Sequence, residues 1–140
     1  MKKTKKRKDN RYSHYIKILA SGFIIPTLGI LVIALVFTLL DIEIMRSILY
    51  IYLVPFMWGL WNLFYYQFLK GKEGMKDSDL FLIGAALGFI DATIEISVVN
   101  LPEMIGMENM KYVFIIIFPL VYGLLWTYVM KKLNKLIVGN

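Results

Sequence analysis

Four long blocks of apolar residues, separated by short charged segments, decide what this chain can fold into. The blocks run from about residue 18 to 40, 47 to 69, 80 to 101 and 112 to 130. Each is close to the ~20 residues that a helix needs to cross a bilayer at about 1.5 Å per residue. None alternates in polarity as a membrane strand does. The sequence therefore predicts an all-α membrane protein whose four transmembrane helices form a compact antiparallel bundle.

The four blocks account for almost the whole chain. We expect a basic N-terminal tail over residues 1–17, a membrane domain over 18–130 and a short basic C-terminal segment over 131–140. The first block is too long for a signal peptide, and no small-residue cleavage site precedes Asp41. We interpret it as an uncleaved anchor. With hydrophobic residues at 59% of the chain, no soluble catalytic domain is expected.

The basic residues are distributed unevenly along the chain. Fourteen of the 16 Lys and Arg residues lie before the first block, between the second and third, or after the fourth. Cytoplasmic loops of membrane proteins carry this excess of positive charge. The count predicts a plasma (inner) membrane protein with both termini in the cytoplasm. We interpret the run Lys2 to Lys8 as an orientation signal that also attracts anionic lipids, rather than as a nucleic-acid site.

A short pattern of proline, aromatic residue, glycine and leucine occurs in the second and fourth blocks, 64 residues apart. The residues are Pro55, Trp58, Gly59 and Leu60 in one block, and Pro119, Tyr122, Gly123 and Leu124 in the other. Two interpretations are open: duplication of a helical hairpin, or chance recurrence of residues that are common in membrane helices. In either case we expect these prolines and glycines to face other helices.

The third block contains the strongest functional signal, two acidic residues inside an apolar helix. Asp91 lies near its middle, and Glu95 follows one turn later on the face that also carries Gly84 and Gly88. The two glycines have the spacing of a close helix contact. A carboxylate at the bilayer centre costs about 2.5–3.5 kcal/mol, and the four blocks contain no basic residue to pair with one.

Three arrangements would lower the cost of burying these acids. They can be protonated, they can line a wet cavity and meet a cation, or they can accept hydrogen bonds from polar groups of other helices. The candidate hydrogen-bond partners in the other blocks are Asn62, Tyr122, Trp58 and Trp126.

Two functions from different classes fit these features. The first is transport or permeation of a proton, cation or small solute, with Asp91 and Glu95 as the intramembrane site. Because four helices enclose little space, this function predicts a homo-oligomer. The second is a non-enzymatic regulatory or immunity-type subunit that grips another membrane protein through the polar face of the third block. Besides these proteins, membrane lipids are the expected partners.

Several kinds of chemistry find no support in the sequence. The chain has no cysteine and one histidine, which excludes thiolate and multi-histidine metal sites. No nucleophile or metal-ligand set accompanies the two acids, so hydrolysis is disfavoured. We therefore expect no cofactor, no bound metal and no catalytic residue.

Overall fold

A computed structural model describes residues 2–39, 53–70, 76–104 and 106–139 of the chain. Over these ranges the protein is helical and contains no strand. The α-helices are α1 (Lys2–Leu39), α2 (Val54–Phe64), α3 (Asp77–Ile94), α4 (Leu101–Met104), α5 (Lys111–Leu124) and α6 (Lys131–Val138). Helices α2, α3 and α5 each continue into a wider π-helical turn, at Tyr65–Leu69, Glu95–Val99 and Leu125–Met130 respectively, and a 3₁₀ turn at Glu108–Met110 precedes α5.

Three of the described helical stretches are long and apolar enough to cross a membrane: Tyr12–Val36, Asp77–Val99 and Glu108–Val138. The predicted all-helical class is therefore confirmed for the described ranges. The first helix begins at Lys2, earlier than the predicted residue 18, because Lys and Arg have high helix propensity. The predicted second span is described from residue 53 onward. Its first residues, 47–52, lie outside the described residues, as do 40–46 and 71–75 of the adjoining loops.

The burial pattern differs from that of a soluble protein, because many of the exposed side chains are apolar and several of the buried ones are polar. The buried polar side chains are Ser21, Asn62, Asp91, Glu95, Thr127 and Asn134. The exposed side chains include many large apolar ones, among them Leu31, Leu35, Leu60, Phe89, Ile116 and Leu124. Water would penalise an apolar surface of this extent, whereas hydrocarbon does not. The distribution indicates a membrane protein.

The helices pack in two pairs, α1 with α2 and α3 with α5, and glycines lie at both contacts. A Cβ atom added to Gly22 of α1 would lie 2.7 Å from the Cα atom of Gly59 in α2. A Cβ added to Gly84 of α3 would lie 2.5 Å from the carbonyl oxygen of Tyr122 in α5. Only glycine permits backbones to approach so closely, so these contacts fix the register within each pair.

The prolines of the repeated pattern take different positions in their helices. Pro55 lies in the first turn of α2, where its missing N–H group would have no partner within the helix. Pro119 lies inside α5, and its Cα atom would be 2.9 Å from a Cβ added to Gly88. Thus one proline lies at the start of a helix, and the other lies within a continuous helix at a close contact.

A buried polar cluster of Ser21, Asn62 and Asn134 ties α1, α2 and α6 together. Asn62 Nδ2 donates to the carbonyl oxygen of Ile18 at 2.7 Å and to Ser21 Oγ at 2.8 Å. Asn134 Nδ2 donates to Asn62 Oδ1 at 2.9 Å, and Ser21 Oγ donates to Asn134 Oδ1 at 2.7 Å. Because all three side chains are buried, each depends on the others for its hydrogen bonds.

Polar contacts also stabilise the region around Lys70 and Lys131. Lys131 forms an ion pair with Asp77 at 2.6 Å. The Lys70 ammonium lies 4.0 Å from the centre of the Tyr66 ring, and burial lowers the pKa of Lys70 below its ordinary value. The contact with the ring compensates in part for the water that Lys70 loses.

The glycine contact predicts that Gly22→Ala destabilises the protein. The added methyl group would meet backbone atoms of α2 that cannot rotate away, and we expect a loss of about 1–3 kcal/mol. Gly29→Ala is the matched control, because a Cβ at Gly29 meets no atom within 4 Å. Thermal unfolding in detergent measures both changes, and equal melting temperatures for the two variants would contradict the predicted contact.

The polar cluster predicts that Asn134→Leu destabilises the fold by about 1–3 kcal/mol, because it leaves buried groups of Asn62 and Ser21 without partners. Asn109→Leu, at an exposed position, is the control and should leave the unfolding free energy within about 0.5 kcal/mol of the wild type. If Asn134→Leu is as stable as this control, the cluster does not hold the helices together.

Candidate functional site

Helix α3 and the π-helical turn that follows it place two acids and two glycines on the face that they bury. Gly84, Gly88 and Asp91 are buried in α3, and Glu95 is buried at the start of the π-helical turn that follows. A Cβ on Gly88 would lie 2.6 Å from the carbonyl oxygen of Phe118, so α5 covers this face closely. Widened helical turns of this kind occur frequently at functional sites.

Asp91 is tied to the neighbouring helix. Its side chain is 4% exposed, and its Oδ2 atom accepts a hydrogen bond from the hydroxyl group of Tyr122 in α5. A hydrogen bond from a hydroxyl group to a carboxylate is among the stronger ones in proteins. Tyr122 is one of the four hydrogen-bond partners that we considered from the sequence, and the structure shows that it donates to Asp91.

Glu95 lies one turn further along and is differently surrounded. Its side chain is 5% exposed, and its Oε2 atom has no hydrogen-bond partner among the described residues. A buried carboxyl oxygen without a partner is costly, and native structures contain few such groups. A hydrogen-bond donor or a positive charge bound in the site could supply the partner that this oxygen lacks.

Both acids line a cleft of about 500 Å³ that is open on one side. Apart from the acids, Trp58 and Tyr122, its walls are aliphatic residues, glycine, proline and phenylalanine. Those on α1 are Ile25, Pro26, Gly29, Ile30, Val32, Ile33 and Val36; the others include Val54, Leu101, Phe118, Val121 and Leu125. The cleft lies between the C-terminal part of α1 and the helices α3 and α5. It thus combines two carboxyl groups with an apolar enclosure.

Trp58 of α2 forms an aromatic wall of the cleft. Its ring centre lies 4.8 Å from that of Tyr122 and 5.5 Å from that of Trp126. The side chain is 2% exposed, and its Nε1 atom has no acceptor within the described part of the chain. A second unsatisfied polar group therefore belongs to the same cleft as Glu95.

Two of the residues that we considered as partners of the acids lie elsewhere. The amide group of Asn62 makes its hydrogen bonds with Ile18, Ser21 and Asn134. Trp126 does not line the cleft. The structure therefore brings together Asp91, Glu95, Tyr122 and Trp58 at one cleft. Asn62 and Trp126 instead contribute to packing between helices.

Sequence reasoning missed the wall that α1 contributes. The first block contains no charged residue, and we therefore predicted no functional site in it. Its Gly22, Pro26, Gly29 and Ile33 are nevertheless spaced three and four residues apart, which places them on one helix face. That spacing was the available signal for a helix face that meets other parts of the protein.

The two carboxyl groups can exchange protons or balance a positive charge. No group of three or more His, Cys, Asp or Glu residues that could hold a metal ion occurs in the described ranges. Two neighbouring acids, a phenol and an indole are groups that can together bind a proton or a positive charge and release it.

Comparison with known proteins identifies no relative of this chain. No protein-family model matches the chain, and no curated protein or solved structure is significantly similar to it.

Proposed function

We propose that the protein is a small multi-pass membrane protein that transports or conducts a proton, a cation or a small solute through the Asp91–Glu95 site. One observation carries this proposal: two carboxyl groups, 4% and 5% exposed, share one apolar cleft inside helices that are long enough to cross a bilayer. Ionisable residues in such positions mark ion pathways and proton relays in membrane proteins.

The cost of burying charge gives the site its selectivity for protons and cations. An ionised carboxylate in a low-dielectric cleft is unstable until a proton or a positive charge neutralises it. Since Glu95 lies one turn from Asp91, ionisation of either acid opposes ionisation of the other. The pair therefore gains and loses single positive charges, as a carrier or relay site must.

The arrangement in the membrane follows from the helices and from the charges. In this proposal α2 completes a fourth span, and α1–α2 and α3–α5 are two antiparallel hairpins of one compact bundle. The basic residues Lys70, Lys76, Lys131 and Lys132 lie at the ends of these helices that would face the cytoplasm of a plasma (inner) membrane protein. Both chain termini then lie on the cytoplasmic side.

Burial in the first and third helices supports duplication of the hairpin. Buried positions in α1 and α3 match at an offset of 62 residues, close to the offset of 64 between the second and fourth blocks. The matched buried pairs are Ile18 with Leu80, Gly22 with Gly84 and Pro26 with Gly88. Equivalent close contacts in both hairpins favour a common origin over chance.

A second copy of the chain would close the open side of the cleft in this proposal. Four helices surround too little space for a pathway of their own, and the exposed flank of α1 is apolar, with Leu28, Leu31 and Leu35 each more than half exposed. Helices associate in membranes through such surfaces when shape permits.

The same open cleft supports a second candidate, a regulatory subunit whose partner helix fills it. A polar group on that helix would then meet Glu95. Stoichiometric co-purification of another membrane protein, together with ion-tight liposomes made from the pure chain, would favour this candidate over transport.

The transport proposal predicts that Asp91→Asn and Glu95→Gln each lower the proton flux that depends on these two acidic residues, which we call acid-dependent flux. In liposomes with an internal pH dye and an imposed potential, we expect a decrease of at least about tenfold, which corresponds to about 1.4 kcal/mol. The amide side chains keep the size of the acids but cannot take up and release protons.

Glu108→Gln serves as the control because Glu108 is exposed and lies outside the cleft. Its flux should match that of the wild type. Wild-type flux in both Asp91→Asn and Glu95→Gln would refute the assigned site.

The topology can be tested by labelling, since the chain contains no cysteine. Single cysteines are introduced at Thr4, Ser78 and Asn109, and right-side-out vesicles that contain each variant are treated with an impermeant maleimide. We expect Asn109→Cys to react, and Thr4→Cys and Ser78→Cys to react only after permeabilisation. Labelling of Ser78→Cys and Asn109→Cys from the same side would disprove the proposed arrangement.

A further inference from the structure

The lining of the cleft restricts the chemistry of what it can hold. Its volume of about 500 Å³ lies within the range of about 300–1,000 Å³ that is typical of small-molecule sites. Aliphatic side chains from α1, α2 and α5 supply most of the wall, and the polar groups lie together on one side, at Asp91, Glu95, Tyr122 and Trp58. An occupant that matches this lining has an apolar body and one polar end.

The carboxyl group of Glu95 decides the charge of that end. A neutral apolar occupant, such as a lipid acyl chain, would remove any remaining water and leave the Glu95 Oε2 atom without a partner. A positively charged end would compensate this carboxylate directly. The site therefore favours a cation over a neutral apolar molecule of the same shape.

The walls also argue against a bare metal cation. Hard cations such as Ca²⁺ take about six to eight oxygen ligands, whereas the side-chain oxygens that line the cleft are those of Asp91, Glu95 and Tyr122. The aromatic rings suit an organic cation instead. Trp58 and Tyr122 pack against each other with ring centres 4.8 Å apart, and both line the cleft. Ring surface that borders the cleft can attract an ammonium group within about 6 Å.

We infer that the cleft binds an apolar organic cation, an alkyl- or arylammonium compound, with Glu95 as its counter-ion and with Trp58 and Tyr122 around its charged group. Asp91, held by the Tyr122 hydroxyl group, contributes a second negative charge one turn away. The aliphatic wall of α1 encloses the apolar body. This inference rests on the proposed function and names the class of substrate for that same site.

The test compares two probes of the same shape and different charge. Benzyltrimethylammonium carries a quaternary nitrogen where neopentylbenzene carries a carbon atom, so the pair isolates the contribution of charge. The full chain is placed in phosphatidylcholine nanodiscs at pH 8, and binding is followed by tryptophan fluorescence, to which Trp58 contributes directly. We expect saturable binding of the cation, and saturable binding of the neutral probe that is at least about tenfold weaker or absent.

Variants identify the counter-ion. Glu95→Gln should weaken binding of the cation at least about tenfold, whereas Glu95→Asp, which keeps the charge, should retain part of the affinity. Glu108→Gln should bind like the wild type, and the partial rescue by Asp separates loss of charge from loss of fold. Equal affinity for the two probes, or wild-type affinity in Glu95→Gln, would overturn the inference.

Flux and binding together distinguish the two proposals. If flux depends on the acids while the ammonium probe does not bind, the substrate class is wrong and the transport function stands. If the probe binds through Glu95 while no acid-dependent flux occurs, the cleft is a binding site for cations and the transport function is wrong.

Discussion

Close backbone contact between helices at glycine is the interaction on which the rest of the structure depends. In hydrocarbon no hydrophobic effect draws helices together, so their association needs intimate packing. Gly84 provides it by placing the backbone of α3 against the carbonyl group of Tyr122. Because helical side chains tilt toward the N-terminus of their own helix, and α5 runs antiparallel to α3, the Tyr122 side chain then points along α3 toward Asp91. The same contact that joins the helices therefore positions the hydroxyl group that Asp91 requires.

The two acids differ in what surrounds them, and in the proposed site this difference would give them different tasks. Asp91 is held by a phenol from the neighbouring helix, whereas the Oε2 atom of Glu95 has no partner in the described ranges. A buried polar group that is hydrogen-bonded within the protein makes the local structure more rigid. A buried polar group without a hydrogen-bond partner favours binding of a ligand that carries the complementary charge. Neighbouring titratable groups in unlike environments commonly divide their roles in this way. In the proposed site, Asp91 would hold the arrangement in place, and Glu95 would bind and release the proton or cation.

The sequence predicted the helical class and the shared face of Asp91 and Glu95 because both follow from hydropathy and helical periodicity. It also included Tyr122 among the possible partners, since few polar groups are present in the other blocks. It did not predict that Asn62 serves a separate cluster, because the partner Asn134 lies 72 residues away and only the packing of α6 brings the two together. The α1 wall was missed for a related reason: apolar residues that line a cleft and those that face lipid have the same hydropathy.

The proposed duplication, with its offset of 62 residues between α1 and α3, would explain why the cleft has one charged wall and one apolar wall. Under this offset Gly29 of α1 corresponds to Asp91 of α3, and Ile33 corresponds to Glu95; all four residues line the cleft. A strictly repeated chain would set four carboxyl groups around one low-dielectric space, where their mutual repulsion would be severe. With glycine and isoleucine at the equivalent positions, the repulsion is confined to a single pair, and the opposite wall can receive an apolar body. Under the proposed duplication, divergence between the two hairpins would thus produce a site that is polar on one side, which strict repetition would not form.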